Sequence, residues 1–430
     1  MVILALILAG AWQAASLADA HVDSSVDAAV SVPREQWLPI LMRVSQVVRQ
    51  QTSRLGNFTC VQTVTRHSVD RKRRESRDTL RFETGVVGER EVFGWPGQEL
   101  TQTSPNELVS FGASSTGDLY STVRSAVGNR EVTITGVTRN GGEMVFSYEM
   151  GSVNSQFMVG GPRASAIVGF RGEFALDPGE GRLVWLRREA DAIPVEVGTR
   201  RTQTVLRFDR KANQPPFDIV PVSAVTVMED WLGGTSTLAS TWQGCAEFAV
   251  TSRISFGEEP GSAPAAPPTR LASRWLRVKS KAFSTELTGT YPLSTLTAGD
   301  SVAMQLSAAI RLTDGTELPA GTAVMARIVL NNERPNDRTR VIGLRLDPYL
   351  AGGRRVLLDA VAERVTGAEV ETGVRVIRSS TRAGAAGSDS LFESSTEKLY
   401  LDRSVGAATF MLPLTAAQLP VPLTIKWRVE

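Results

Sequence analysis

The residues able to do chemistry are few and scattered. Two histidines, His21 and His67, and two cysteines, Cys60 and Cys245, are all that 430 residues contain of those types. That inventory removes most mechanisms built on an imidazole base, a clustered metal site or a thiol nucleophile. An N-terminal histidine with a second one can grip copper through amine and ring nitrogens, and His21 becomes N-terminal if cleavage falls after Ala20. Val22 to Val32 reads instead as a flexible polar lead, and His67 sits beside the basic run Arg71-Lys72-Arg73-Arg74. No metal ligand is assigned. Ser395-Thr396-Glu397-Lys398 matches the Ser-x-x-Lys pattern in which a lysine activates a serine, but the helix and partner motifs of that chemistry are missing. Carboxylates are plentiful enough for a glycosidase pair. Asp177 and Glu180, however, lie in Asp177-Pro178-Gly179-Glu180-Gly181, a turn where acidic residues serve the backbone. Glu189 and Asp191 end a strand and read as solvated. Arg71 to Arg74, flanked by Asp70 and Glu75, reads as a charged hairpin tip rather than a phosphate or headgroup site. No glycine-rich phosphate loop and no Cys-x-x-Cys occurs. The expectation is a protein without catalytic residues, cofactor or metal.

Positioning elements are abundant by contrast. With 42% hydrophobic and 21% charged residues the chain reads as globular, long enough for two or three cored domains. A net charge of +2 makes no global case for nucleic acid or anionic lipid. Val2 to Ala11 is an unbroken apolar run, and Ala18-Asp19-Ala20 has the small-x-small pattern cut by a signal peptidase. Residues 1–20 are therefore expected to be a signal peptide, although no Lys or Arg precedes the apolar run. The run is too short to span a bilayer, and no later segment approaches a transmembrane helix. An exported protein, periplasmic or associated with the outer envelope, is expected. In such a compartment Cys60 and Cys245 are expected to form one disulfide, the alternative being two separate buried thiols.

After a lead over 21–32, Ser31 and Pro33 suit a helix start, and Leu41, Val44, Val48, Thr52 and Leu55 fall at helical spacing. Pro39 argues that the regular helix begins near it. Alternating strands follow, including a hairpin across Asn140-Gly141-Gly142. Later strands are read at Leu206-Phe208, Val222-Val227, Phe248-Val250 and Ile254-Phe256. A short helix over Leu119 to Val127 is expected to open at Thr116 or Asp118 and stop at Gly128. This order is α+β, mostly β, rather than βαβ. The domain spans 33–256, with a last strand available at 275–283. Residues 257–269 form a Pro/Ala/Gly linker, and 285–430 a smaller β unit with a small-residue loop at Gly384 to Ser390.

Three phrases carry a resemblance: Asn57-Phe58-Thr59-Cys60-Val61-Gln62-Thr63-Val64-Thr65-Arg66, then Phe111-Gly112 with Thr116-Gly117-Asp118, then Phe170-Arg171-Gly172-Glu173-Phe174-Ala175-Leu176-Asp177-Pro178. They resemble an exported family of Acidobacteria-like bacteria whose sheet is similar to that of outer-membrane lipoprotein-sorting carriers (LolA/LolB-like). The resemblance covers about residues 33 to 283. It implies an antiparallel half-barrel with helices closing its mouth over an apolar cavity, and a lipid or lipoprotein acyl chain as ligand. It places no ligand-contact residue on this chain. Leu318-Pro319-Ala320-Gly321-Thr322 and the strand after it resemble the small β-barrel of TrbI-type conjugation-channel proteins, without their helical projection or membrane anchor. Two functions stay open: a non-enzymatic periplasmic binding or chaperone-like protein, and an envelope-assembly component acting through protein contacts. Sequence does not separate a lined cavity from a filled core, since both place apolar side chains on one sheet face.

Overall fold

A computed structural model describes residues 30–55, 58–87, 90–109, 112–160, 164–208, 219–247, 275–351, 354–358, 360–367 and 407–429. The expected signal peptide, His21, the expected linker at 257–269, the strands read at 248–250 and 254–256, Gly384 to Ser390 and the Ser395–Lys398 motif lie outside these residues. The fold is mostly antiparallel β with few helices, and its sheet does not close into a barrel.

Among the described residues, ten main strands form the sheet of the first unit, with the two-residue strand Val30–Ser31 added at one edge. In spatial order they are Thr133–Asn140, Glu143–Met150, Gly169–Asp177, Arg182–Asp191, Thr199–Arg207, Ser223–Asp230, Thr235–Glu247, Phe58–Val69, Glu75–Val87 and Arg90–Gly94. Period-two sequence patterns put one face inside and one toward water, as antiparallel sheets permit. Along Phe58–Val69 the even-numbered residues Phe58, Cys60, Gln62, Val64 and Arg66 are all buried. Gly172 has a local job: a Cβ there would lie 1.9 Å from the Arg187 carbonyl oxygen and 2.8 Å from the Tyr148 hydroxyl. Its bare backbone lets Tyr148 donate across the strand to that carbonyl at 2.9 Å.

The helix Arg34–Arg54 covers part of the buried face through Val44, Val48 and Thr52. Trp37 meets the Phe146 ring edge-on at 5.9 Å, and Phe146 stacks on Phe174 at 5.0 Å. Two details of the helix start differ from the sequence reading. The helix begins at Arg34 with Pro33 as its N-cap, and Pro39 lies inside it. Pro39 is tolerated because it and Glu35, whose carbonyl it deprives of a partner, are both exposed to water. Ser31 is no cap; Val30–Ser31 is a short strand paired with Arg139 and Thr138. The second helical segment, Ser121–Val123 continuing as a π turn over Arg124–Gly128, docks on the first, with Ser45 Oγ donating to the Val127 carbonyl at 2.8 Å.

Among the described residues, seven strands make the main sheet of the C-terminal unit, in the order Ala360–Gly367, Leu423–Val429, Ala282–Leu287, Ser301–Leu306, Ala323–Arg334, Thr339–Leu346 and Ala408–Pro413. They enclose their own core around Trp427, Phe410 and Ile342. The segment read as a possible last strand of the first sheet belongs here: Leu276–Arg277 pairs with Arg354–Leu357, and Ala282–Leu287 with Leu423–Val429. The two units join through the backbone. Asn332 and Glu333 pair with Asp78 and Arg77. Arg81 N–H donates to the Ala298 carbonyl at 2.6 Å, and Ala298 N–H to the Thr79 carbonyl at 3.0 Å. A third apolar cluster, with Phe82, Phe93, Trp95 and Val329, packs across the same seam.

Cys60 and Cys245 are joined, with Sγ atoms 2.13 Å apart and a sequence separation of 185. The bridge links two adjacent strands, Phe58–Val69 and Thr235–Glu247, where their register shifts between Gln243 and Ala246. Closing so long a loop restricts the unfolded chain strongly. A non-reducing peptide map should recover the Cys60 and Cys245 peptides as one species, and Cys245→Ser should cost about 2–5 kcal/mol in chemical denaturation. Two freely alkylatable thiols in the native protein would contradict the bridge.

Candidate functional site

The buried face of the ten-stranded sheet changes character along its strands. At one end its residues are apolar: Phe58, Trp242, Leu206, Leu186, Phe174 and Phe146 pack beneath the helix. Cross-strand register carries the same face toward the other end, where Thr204 lies opposite Thr226 and Arg188, and Thr202 opposite Met228. There the face is hydroxylated and charged, and it borders a cavity of about 340 Å3. Thr202, Thr204, Thr226 and Arg188 form its floor; Ser114, Ser115 and Thr116, Phe157 to Gly160, and Arg334 with Asn336 and Asp337 from the C-terminal unit form its walls.

A buried ion pair holds one wall. Arg66 Nε and Nη2 donate to the two Asp78 carboxylate oxygens at 2.7 and 2.5 Å. Its Nη1 donates to the Ala113 carbonyl at 3.1 Å, which fixes the loop carrying Ser114 and Ser115. This fork satisfies both partners, as a buried pair must. Hydroxyls then run from the floor into the wall: Thr204 and Thr226 share a 2.9 Å hydrogen bond, and Thr226 Oγ1 donates to Ser115 Oγ at 3.4 Å.

Behind Ser115 sit two carboxyl groups. Glu91 accepts from the backbone N–H of Gly117 at 2.7 Å and of Tyr120 at 2.8 Å. Gly117 has φ +86°, and a Cβ on it would fall 2.2 Å from Ser121 Oγ, so only glycine fits this turn. Burial, then the nearby Asp118 charge, pushes Glu91 up to about 7, against the pull of its backbone N–H partners. Asp118 is fully enclosed; burial pushes it up to about 6, with the Ser115 hydroxyl and the Arg188 charge opposing. Neither Asp118 oxygen has a hydrogen bond of regular geometry. Arg188 is 5% exposed, its Cζ lies 3.8 Å over the Phe157 ring, and its Nε has no hydrogen-bond partner. Burial lowers its pKa, against the attraction of Asp118, Tyr148 and Glu91.

The residues singled out in the sequence lie elsewhere or serve the backbone. His67 is half-exposed with Nε2 3.4 Å from the Glu75 carboxylate. Arg71 to Arg74 occupy the turn after Phe58–Val69; within it Arg74 folds back onto Asp70 at 2.6 Å and reaches the cavity wall. Asp177 accepts from the Gly179 and Glu180 N–H groups at 2.9 and 3.1 Å, and Glu189 pairs with Arg201 at 3.0 Å. Asp118 does not open the short helix, which starts at Ser121; it is an enclosed carboxyl instead. Arg188, Asp118 and Glu91 were missed. A signal existed for one of them: Leu186-x-Arg188 and Thr202-x-Thr204-x-Leu206 place polar side chains at inward positions of alternating strands.

Among the described residues no group of three or more His, Cys, Asp or Glu is placed to hold a metal ion. No helix among them is long and apolar enough to cross a membrane. No family model and no curated protein matches the sequence. Among solved structures, a LolA-superfamily protein from Nitrosomonas europaea is similar over 48% of this chain and 94% of its own, at 12% identity and a TM-score of 0.23. The TrbI-type likeness of the C-terminal unit finds no support in these comparisons.

The raised carboxyl pair fixes a sign for stability against pH. A carboxyl that holds its proton more tightly when folded favours the fold fully below about pH 4, and that contribution is lost as the pH rises through about 6 and about 7. Asp70 and Asp177, held low by burial-opposed hydrogen bonds from Arg74 and by the Glu180 N–H respectively, act oppositely and lose stability in acid. Calorimetry should therefore find the highest Tm near about pH 5 and a decline toward about pH 8. A Tm rising steadily over that interval would contradict the assignment.

Proposed function

We propose that this is a non-enzymatic binding protein of the cell envelope that holds a small ligand in the hydroxyl-lined cavity. The observation that carries it is the division of the buried sheet face, packed with aromatic rings at one end and left open over threonines and an arginine at the other. About 340 Å3 lies at the lower end of ligand-pocket volumes, which suits a compact molecule. The acyl-chain version, suggested by the family resemblance, needs an apolar space; the apolar end is occupied by Val44, Val48, Phe146 and Phe174 unless the helix Arg34–Arg54 swings away. An enzyme is disfavoured because the Glu91–Asp118 pair stands behind the Ser114–Thr116 wall rather than in the cavity, with Glu91 engaged by backbone N–H groups. Export supplies the compartment in this proposal.

A second reading, docking onto other envelope proteins, is favoured by one feature. Trp231 and Leu232, 49% and 51% exposed, stand together in one turn between Ser223–Asp230 and Thr235–Glu247.

Native mass spectrometry of protein recovered from the envelope should show a noncovalent adduct, lost in Thr202→Phe, which fills the floor while shifting Tm by only about 5 °C. An adduct that persists in Thr202→Phe, or its absence from the wild-type protein, would sink the cavity reading.

A further inference from the structure

Two enclosed arginines line the cavity without a carboxylate in ion-pairing distance among the described residues, but Arg334 Nε donates to the Asn332 side-chain oxygen at 3.5 Å, whereas Arg188 Nε has no partner. Arg188 is 5% exposed. Three of the wall's carboxylates already hold partners: Asp70 holds Arg74 at 2.6 Å, Glu75 holds Arg77 at 2.7 Å, and Glu229 holds Arg200 at 2.6 Å. Two other enclosed arginines, Arg66 and Arg327, are fully forked. Arg66 is held by Asp78, and Arg327 by Asp347 at 2.7 Å with the Gly299 carbonyl also at 2.7 Å. A desolvated guanidinium without such a partner is costly. Arg188 is also held in place: the Phe157 ring lies under it, and Thr204 stands directly opposite on the next strand. A rigid, partly desolvated guanidinium beside several hydroxyls is the arrangement that takes a planar or tetrahedral anion.

We propose that the ligand carries an anionic group, a carboxylate or a phosphate ester, which pairs with Arg188 and hydrogen-bonds to the Thr204 and Thr226 hydroxyls, with a short apolar portion against Phe157 and Met228. The assignment rests on the cavity being a binding site and specifies the ligand's charge. Neither carboxyl group near Arg188, Asp118 or Glu91, is among the residues that line the cavity, so they temper the guanidinium charge without occupying the anion's place.

The test uses three probes of equal chain length on the intact mature protein: hexanoate, hexyl phosphate and neutral hexanamide, titrated calorimetrically into wild type, Arg188→Gln and Arg188→Lys. At least one anion should bind wild type about tenfold or more tighter than hexanamide, the factor expected for a charge-assisted bond. Arg188→Gln should abolish that preference while hexanamide affinity stays unchanged, and Arg188→Lys should keep part of it. A hexanoate preference points to carboxylates, and a hexyl phosphate preference to phosphate esters. Equal binding of hexanamide and both anions to wild type, a comparison that needs no variant to fold, would overturn the anion assignment and leave the cavity as a binding site. A preference that survives Arg188→Gln would also overturn it. Failure of all three probes to bind would overturn the cavity reading together with the proposal.

Discussion

One face of a ten-stranded sheet is too large for one helix to cover. Neighbouring strands lie about 4.8 Å apart, so ten of them span roughly 43 Å, while a helix with its side chains is about 10 Å thick. The helix Arg34–Arg54 and the short segment docked on it therefore seal only part of the buried face. Everything else follows from how the remainder is closed. The loop carrying Ser114 to Thr116 and the short hairpin of Met158–Gly160 with Ser165–Ile167 lie over it, and the Pro335–Asp337 turn of the C-terminal unit completes the rim. Loops cannot fill space as side chains on a helix do, and beneath them the inward residues are threonine, serine and arginine instead of aromatic rings. The second unit thereby acquires a role in the first: the pairing of Asn332 and Glu333 with Asp78 and Arg77 places Arg334 beside the cavity.

Enclosed charges divide along the same line. Arg66 and Arg327 each sit in a two-pronged carboxylate grip plus a backbone carbonyl, so their burial is compensated within the fold. They act as struts, one for the loop over the cavity and one for the seam near Gly299. Arg188 has the burial without the grip. Its carboxyl neighbours Asp118 and Glu91 are themselves pushed toward the neutral form, so the cluster holds charge that the protein alone does not neutralise in contact. The contrast between the full grip on Arg66 and Arg327 and the unpartnered Nε of Arg188 beside the cavity is what supports the proposed binding site.

Much of this was legible in the sequence, and the misses have physical causes. Alternation in Phe58–Val69, the Asn140–Gly142 turn and the Asp177–Gly181 turn announced an antiparallel meander, because period-two burial and turn chemistry are local. The strand Thr235–Glu247 was harder to see: Thr-Ser-Thr-Leu-Ala-Ser-Thr has hydroxyls where an apolar alternation would be sought, because part of it faces the polar end and its hairpin tip. Pro39 misled, since whether a proline breaks a helix depends on whether the freed carbonyl meets water. Asp118 looked like a helix cap because its neighbours spell one; its carboxyl neighbour Glu91 lies 27 positions earlier, on the strand Arg90–Gly94. No local pattern could place Arg188 over Phe157, since the strand Arg182–Asp191 and the loop after Met150 meet only once the sheet is assembled.

The central claim is that the polar end of the sheet face is the ligand's place and the helix-covered end is permanent core. A high-resolution crystal structure of the protein purified from its native cells without denaturation tests this directly. The account predicts ligand density bounded by Arg188, Thr204, Thr226 and Phe157, with the Trp37–Phe146–Phe174 stack intact beneath the helix. Density for an acyl chain among those rings, with the helix Arg34–Arg54 displaced, would contradict it.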